Sequence, residues 1–201
     1  MTTFAELETL VVAQTRRPEI PAITKAAIKS ATLRAHHADF FPRDLSITRL
    51  NYTPLSTAVL YDFPNIHTSL TRLRTIQHIE GIDAVTSTPV ENLEYRTADD
   101  LYDSDGNRRP SVYTLLGATL RLYPLQATGA VNVFFFQNPN VAEADYASWI
   151  ADTYAEELAM WAAAIVFSRT GFVEMAMQYN DNHIKPFKEM LINSHLLGNV
   201  S

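Results

Sequence analysis

A chain of 201 residues with 47% hydrophobic and 19% charged side chains can bury a core of ordinary size and is globular rather than disordered. It has no cysteine, which excludes disulfides, thiolate metal sites and cysteine nucleophiles. Net charge is −6 and unevenly spread: 9 Lys/Arg face 7 Asp/Glu up to Glu80 and 7 face 15 after it, so the chain is a poor general binder of nucleic acid.

The opening, MTTFAELETL, has neither the basic start nor the apolar core of a signal peptide, and assembly in cytoplasm is expected. Thr3 to Arg16 reads as an amphipathic helix, with Thr3 and Glu6 as a capping box and Phe4, Leu7, Leu10, Val11 and Gln14 along one side. A second helix follows Pro21, with Ile23, Ala27, Ile28 and Ala31 on one stripe and Lys25, Lys29 and Arg34 off it, and it stops before Pro42. At its end His36 and His37 stand close to Asp39. Adjacent helical residues point about 100° apart and do not readily share one ion, so a helix-end pair near the C-terminal dipole is preferred to a metal site.

Between Pro42 and Pro139 the period changes to that of strands. Leu45 to Tyr52, Thr57 to Phe63 and Leu73 to Ile79 carry β-formers. A short helix is expected at Ala98 to Tyr102, capped by Thr97. The run Asp103-Ser104-Asp105-Gly106 resembles the start of a calcium loop, but the basic Arg108 and Arg109 follow where acceptors would be needed, and an Asp/Gly turn is the better reading. Val112 to Leu116 and Leu120 to Tyr123 form a hairpin about Gly117-Ala118-Thr119. AVNVFFFQNP is the most strand-like run; Phe134 to Phe136 must face both sides of a sheet, so one face meets another subunit, a helix or solvent. The same strand also suits the core of a monomer.

Ser148 to Gly171 is the stretch around which the chain is organised. Ile150, Tyr154, Leu158 and Trp161 recur at helical spacing, and from Leu158 to Phe167 no residue is charged, so this helix must be enclosed by protein. The run is shorter than the roughly 20 apolar residues that cross a bilayer. Either Ser148 or Thr153, the latter with Glu156, can cap it, and two caps predict a break near Thr153. Phe172 to Leu197 gives a final helix with Phe172, Met175, Ala176, Tyr179 and His183 on one stripe, kinked at Pro186.

No G-x-S-x-G, Walker A, GxGxxG or HExxH occurs, and six glycines leave little for a phosphate cradle. Adjacent acids such as Asp99/Asp100 and Glu156/Glu157 read as solvated faces. His36, His37, His67, His78, His183 and His195 are scattered, which makes an enzyme the weaker class.

The element order and four phrases carry a resemblance: ATLRAHHADFFPRDL, NLEYRTADDLYDSDGNRRPSVYTLLGATLRLYP, FFFQNPNV and SWIADTYAEELAMWAAAIVFSRTG. Over nearly the whole chain these resemble the head-to-tail adaptors of tailed phages, of the podovirus adaptor and tail tubular type. The resemblance implies an α+β fold: a helical bundle from residues 1–43 and 147–201, with a β-rich insertion at 44–146. It implies a structural virion protein at the head-tail junction, a homo-oligomeric ring, commonly a dodecamer, joining the portal protein to a downstream tail or nozzle protein. DNA passes through such a ring without sequence-specific binding, and no catalysis, cofactor, metal or membrane is involved.

From that resemblance and the composition of the tail, portal docking is expected of Lys185, Phe187, Lys188, Leu191, Leu196, Leu197 and Val200. A subunit interface is expected at Phe134, Phe135 and Phe136 with Arg108 and Arg109. Two other readings stay open: a tail-terminator or tail-completion protein, and a small cell-wall hydrolase working through acids such as Asp152 or Glu156.

Overall fold

The computed structural model describes residues 1–51, 61–83, 85–100, 111–123 and 129–198, with side chains as far as 193. The fold is α+β and comprises two compact units, Met1–Asp44 with Asn138–Ser201, and Leu45–Gln137.

The first unit is helical. Helix α1 (Phe4–Thr15) starts at the expected capping box: the Glu6 N–H donates to the Thr3 hydroxyl at 3.2 Å and the Thr3 N–H donates to the Glu6 carboxylate at 2.7 Å. Its buried face is Phe4, Leu7, Val11 and Thr15, and it ends at Arg16 in the left-handed region. Helix α2 (Pro21–His36) begins with Pro21, whose missing N–H is no loss in a first turn. It buries Thr24, Ala27, Ile28, Ala31, Thr32, Ala35 and His36 and turns Lys25 and Lys29 outward, where both pair with Glu143.

The long apolar stretch is interrupted where two caps compete. Ser148 caps helix α4 (Trp149–Thr153) by accepting the Ala151 N–H, Tyr154 leaves helical geometry, and helix α5 (Ala155–Arg169) follows. Thr153 is not the cap; its hydroxyl donates back to the Trp149 carbonyl. Helix α5 buries Leu158, Ala159, Trp161, Ala162, Ala163, Ala164, Val166 and Phe167, positions that go right round its axis. It packs against α1 and α2, and the alanines let the neighbouring backbones come close.

The C-terminal helix departs from its expected stripe. Helix α6 (Val173–Tyr179) buries no residue, and Phe172 and Met175 point outward. A π turn over Asn180–Ile184 follows and buries Ile184, and helix α7 (Lys185–Gly198) then buries Phe187 and Leu191. The π turn lies just before Pro186, which cannot donate to the preceding turn and whose ring needs room there. One extra residue per turn supplies that room and rotates the inward face away from the Phe172 stripe.

The second unit is a seven-stranded sheet among the described residues. In chain order the strands are β1 (Leu45–Asn51), β2 (Tyr61–Phe63), β3 (Leu73–Ile82), β4 (Pro89–Tyr95), β5 (Val112–Leu116), β6 (Thr119–Tyr123) and β7 (Ala130–Gln137). Their order in space is β1-β7-β3-β4-β5-β6-β2, antiparallel except for the short β4–β5 pair. A single helical turn, α3 (Ile66–Ser69), buries Ile66, and Leu70 after it, against Leu120, Leu122, Val131, Val133 and Phe135. Strand β4 has no counterpart in the apolar pattern because of its residues only Leu93 is buried. The expected strand at Thr57 is described only from Tyr61, and the expected helix at Ala98 is a 3-10 turn over Ala98–Asp100. The Asp103–Gly106 run lies outside the described residues.

Two positions in the sheet give tests. A Cβ on Gly81, at the β3 bulge, would sit 2.7 Å from Cγ of Glu91, whose carboxylate accepts the Ser111 hydroxyl at 2.7 Å. Gly81→Ala is expected to lower stability by about 1–3 kcal/mol, read as a drop in the thermal midpoint with the far-UV spectrum retained. Across β2 and β6, Arg121 grips Asp62 with two parallel hydrogen bonds of 2.7 and 2.8 Å, which hold the Asp62 carboxyl below its usual range. A depressed carboxyl stabilises the fold above its unfolded pKa and loses that contribution as pH falls through the folded value. Asp62→Asn should therefore cost less than about 1 kcal/mol at neutral pH, because the pair is part-exposed. Urea titrations should show that difference closing as pH falls below the ordinary aspartate range.

Candidate functional site

Three places in the described residues concentrate chemistry or unpartnered surface. The first is buried in the helical unit. His36, at the last turn of α2, donates from Nδ1 to the Asp44 carboxylate at 2.9 and 3.0 Å, and its Nε2 lies 2.9 Å from the Ser148 hydroxyl. Trp149 donates from Nε1 to the same Asp44 carboxylate at 2.8 Å, and the Arg43 guanidinium lies over the Trp149 ring. Beside this cluster the Tyr146 hydroxyl bonds Thr32 at 2.8 Å, and burial pushes the Tyr146 phenol up.

Asp44, His36 and Ser148 are connected in the order of a hydrolase triad, yet the geometry puts them to another use. Ser148 is 5% exposed and His36 2% exposed, and the Ser148 oxygen is already taken up by the Ala151 N–H that starts α4. A nucleophile needs an open face and room for a substrate carbonyl beside it. Here the three side chains satisfy one another and fix where three chain segments meet.

The histidine pair resolves accordingly. His36 turns to Asp44, not Asp39, and His37 points the other way to bond Asn138 at 2.7 Å. Among the described residues no group of three or more His, Asp or Glu is placed to hold a metal ion. The His36–Asp44 partnership has no helical spacing and escapes a pattern search; a buried polar pair eight residues apart, spanning a proline, is its only trace in the sequence.

The second place is one face of the sheet. Along β7, Phe135 joins the buried cluster with Val131 and Val133, so Phe134 and Phe136 lie on the opposite face. Phe136 is buried. Phe134 is half-buried, stacked at 4.0 Å on the His78 ring of β3, and opposite Ile47 of β1, which is 59% exposed. Arg108 and Arg109 lie outside the described residues.

The third is α6. Phe172, Val173, Met175 and Met177 are 42, 58, 41 and 62% exposed, a run of large apolar side chains on one short helix. Only Phe172 has a cover, the Arg17 guanidinium 4.3 Å above its ring.

The expected docking residues divide. Phe187 and Leu191 are 3 and 0% exposed in the helical core, where Phe187 meets Tyr154 and Trp161 edge-on. They could reach a partner only if that core opened, so they serve the fold. Lys185 pairs with Asp181, and Lys188 lies over the Trp161 ring. Leu196 and Leu197 belong to α7, and Val200 lies outside the described residues. No helix among the described residues is long and apolar enough to cross a membrane.

No known family matches the chain, and no curated protein does. Among solved structures it is similar to a chain in the neck of a native gene transfer agent (GTA) particle computed with C12 symmetry. That chain is 16% identical, with 84% of this chain and 81% of that one covered and a TM-score of 0.23. A chain from the virion of the native GTA particle is similar at 15% identity, with 79% and 77% covered and a TM-score of 0.23. Likenesses this loose carry no statement about the present chain's partners.

The histidine node gives a test of its own. His36→Ala leaves the Asp44 carboxylate buried with its main donor gone, and is expected to cost about 3–5 kcal/mol. Chemical denaturation measures it; a loss under 1 kcal/mol would show that the node is not a keystone of the bundle.

Proposed function

We propose that this chain is a structural component of a phage-type neck, a ring subunit that sits between a portal and a tail and encloses the passage for DNA. The observation that carries the proposal is α6 with the residue before it, where Phe172, Val173, Met175 and Met177 are held outward. A monomer gains nothing from such a surface, whereas an assembling subunit covers it. The exposed Ile47 beside Phe134 gives the sheet unit an apolar surface of its own. The element order that resembles phage adaptors supplies the particular assembly, and the acidic second half suits a passage that must release DNA.

In this reading the portal contact belongs to the end of the chain, Leu196, Leu197 and Val200, since Phe187 and Leu191 are engaged in the bundle. Catalysis and a cofactor have no part in it. Native mass of the protein alone and with its portal ring tests the proposal: many copies added to the portal is the expected result, and a monomer that ignores the portal overturns it. Removing residues 196–201 should abolish portal binding and leave the thermal midpoint unchanged. Normal portal binding by that truncated chain would remove the docking role from the tail.

A further inference from the structure

The helical unit has two chemically opposite ends. Helices α1 and α5 run side by side in the same direction: Thr2 bonds Ala151 and Asp152 just before α5, and Arg17 stacks on Phe172 just after it. A helix of 15 residues separates the two ends by about 22 Å. At the starting end stand Asp152 of α4 and Glu156 and Glu157 in the first turn of α5, with Asp152 and Glu156 exposed. Asp152 accepts the Thr2 N–H, and none of the three acids of the α4–α5 corner holds an ion pair among the described residues.

Farther along α5 lies a groove of about 410 Å³ between α5, α6, the π turn and α7. Trp161, Ala164 and Ile165 give its floor an apolar part, Ser168 and Asn180 add polar atoms to its lining, and Val173 and Met177 are exposed lining residues. Three cations border it, Arg34, Arg169 and Lys188, and no acid is among its walls. The acid of the π turn, Asp181, is engaged by Lys185. Arg34 and Arg169 have no carboxylate partner among the described residues, and Lys188 rests on the Trp161 ring. In a chain of net charge −6, a basic groove with an apolar floor is a local exception.

We propose that this groove receives the acidic α4–α5 corner of a second copy, Asp152, Glu156 and Glu157, so that copies join head to tail. The apolar side chains Ile165, Val173 and Met177 pack at the centre of the contact, Ser168 and Asn180 offer it hydrogen bonds, and the three cations form its charged border. A single-stranded nucleic-acid site pairs its cations with an open aromatic face for base stacking, whereas Trp161 is 2% exposed, and the carboxylates that match these cations are carried by the chain itself. Two different patches meeting in one direction make a heterologous contact, which closes into a ring when the rotation allows. The inference rests on the ring reading above and adds its registration: which end of one copy meets which groove of the next.

The test uses full-length protein, half of it labelled with ¹⁵N, coupled by a carbodiimide that joins lysine to carboxylate at zero length. Expected is a mixed-isotope peptide joining Lys188 to Asp152, Glu156 or Glu157. Arg34→Glu with Arg169→Glu should cut its yield by about tenfold or more, as like charges meet across the contact. Glu156→Arg with Glu157→Arg should likewise abolish self-association, and mixing the two variants should restore it, because the reversed groove then meets the reversed corner. Restoration also shows that both variants are folded. Multimers, alone or on the portal, without a mixed-isotope link from Lys188 to the corner would overturn this inference while leaving the ring reading intact. A chain that never multimerises, with or without portal, would overturn both. Duplex DNA binding lost in Arg34→Glu/Arg169→Glu, with no inter-copy link, would overturn the inference in favour of a phosphate site.

Discussion

The helical unit depends on one buried carboxylate. Asp44 accepts from the His36 imidazole and the Trp149 indole at once, and Ser148 closes the far side of the same imidazole. These groups come from the end of α2, from the last residue before the chain leaves for the sheet, and from the start of α4 after it has returned. A bundle interrupted by a long insertion must bring its two parts together against loop-closure entropy, which rises with the logarithm of the intervening length. A carboxylate removed from water tolerates few geometries, so the node is a demanding junction as well as a favourable one.

Around that junction the division of surface is uneven. Helix α5 is enclosed on most sides, while α6, a few residues later, buries no residue fully and packs only Ala176 and Tyr179 against the core. The charges follow the helices: carboxylates gather where α1 and α5 begin, and arginines where they end, in line with the helix dipoles. What favours each helix locally thus also polarises the unit from end to end.

The sequence was most legible where local rules and burial agree. The Thr3/Glu6 box, the Pro21 start, the apolar girth of α5 and the aromatic strand β7 could each be read from a few adjacent residues, and with them the α+β class. Strand β4 could not, because Glu91, Asn92 and Glu94 interrupt its apolar residues and only Leu93 is buried, which leaves no apolar period. Neither could α3, a single turn held by burial of Ile66 and Leu70 in a core assembled from distant strands. Of the candidate surfaces, Phe134–Phe136 stood out as a run that must face two ways. The basic groove did not, because Arg34, Arg169 and Lys188 come together only in space, and the acids around each of them in the sequence conceal the local excess.

The π turn before Pro186 governs more than the comfort of a proline ring. Each helical residue advances the chain by about 100°, so the single residue gained there sets the compass bearing of α7, which follows it. The bearing of α7 is therefore set by the number of residues between Tyr179 and Pro186. A one-residue deletion there would keep the composition of α7 and change which of its side chains face the bundle.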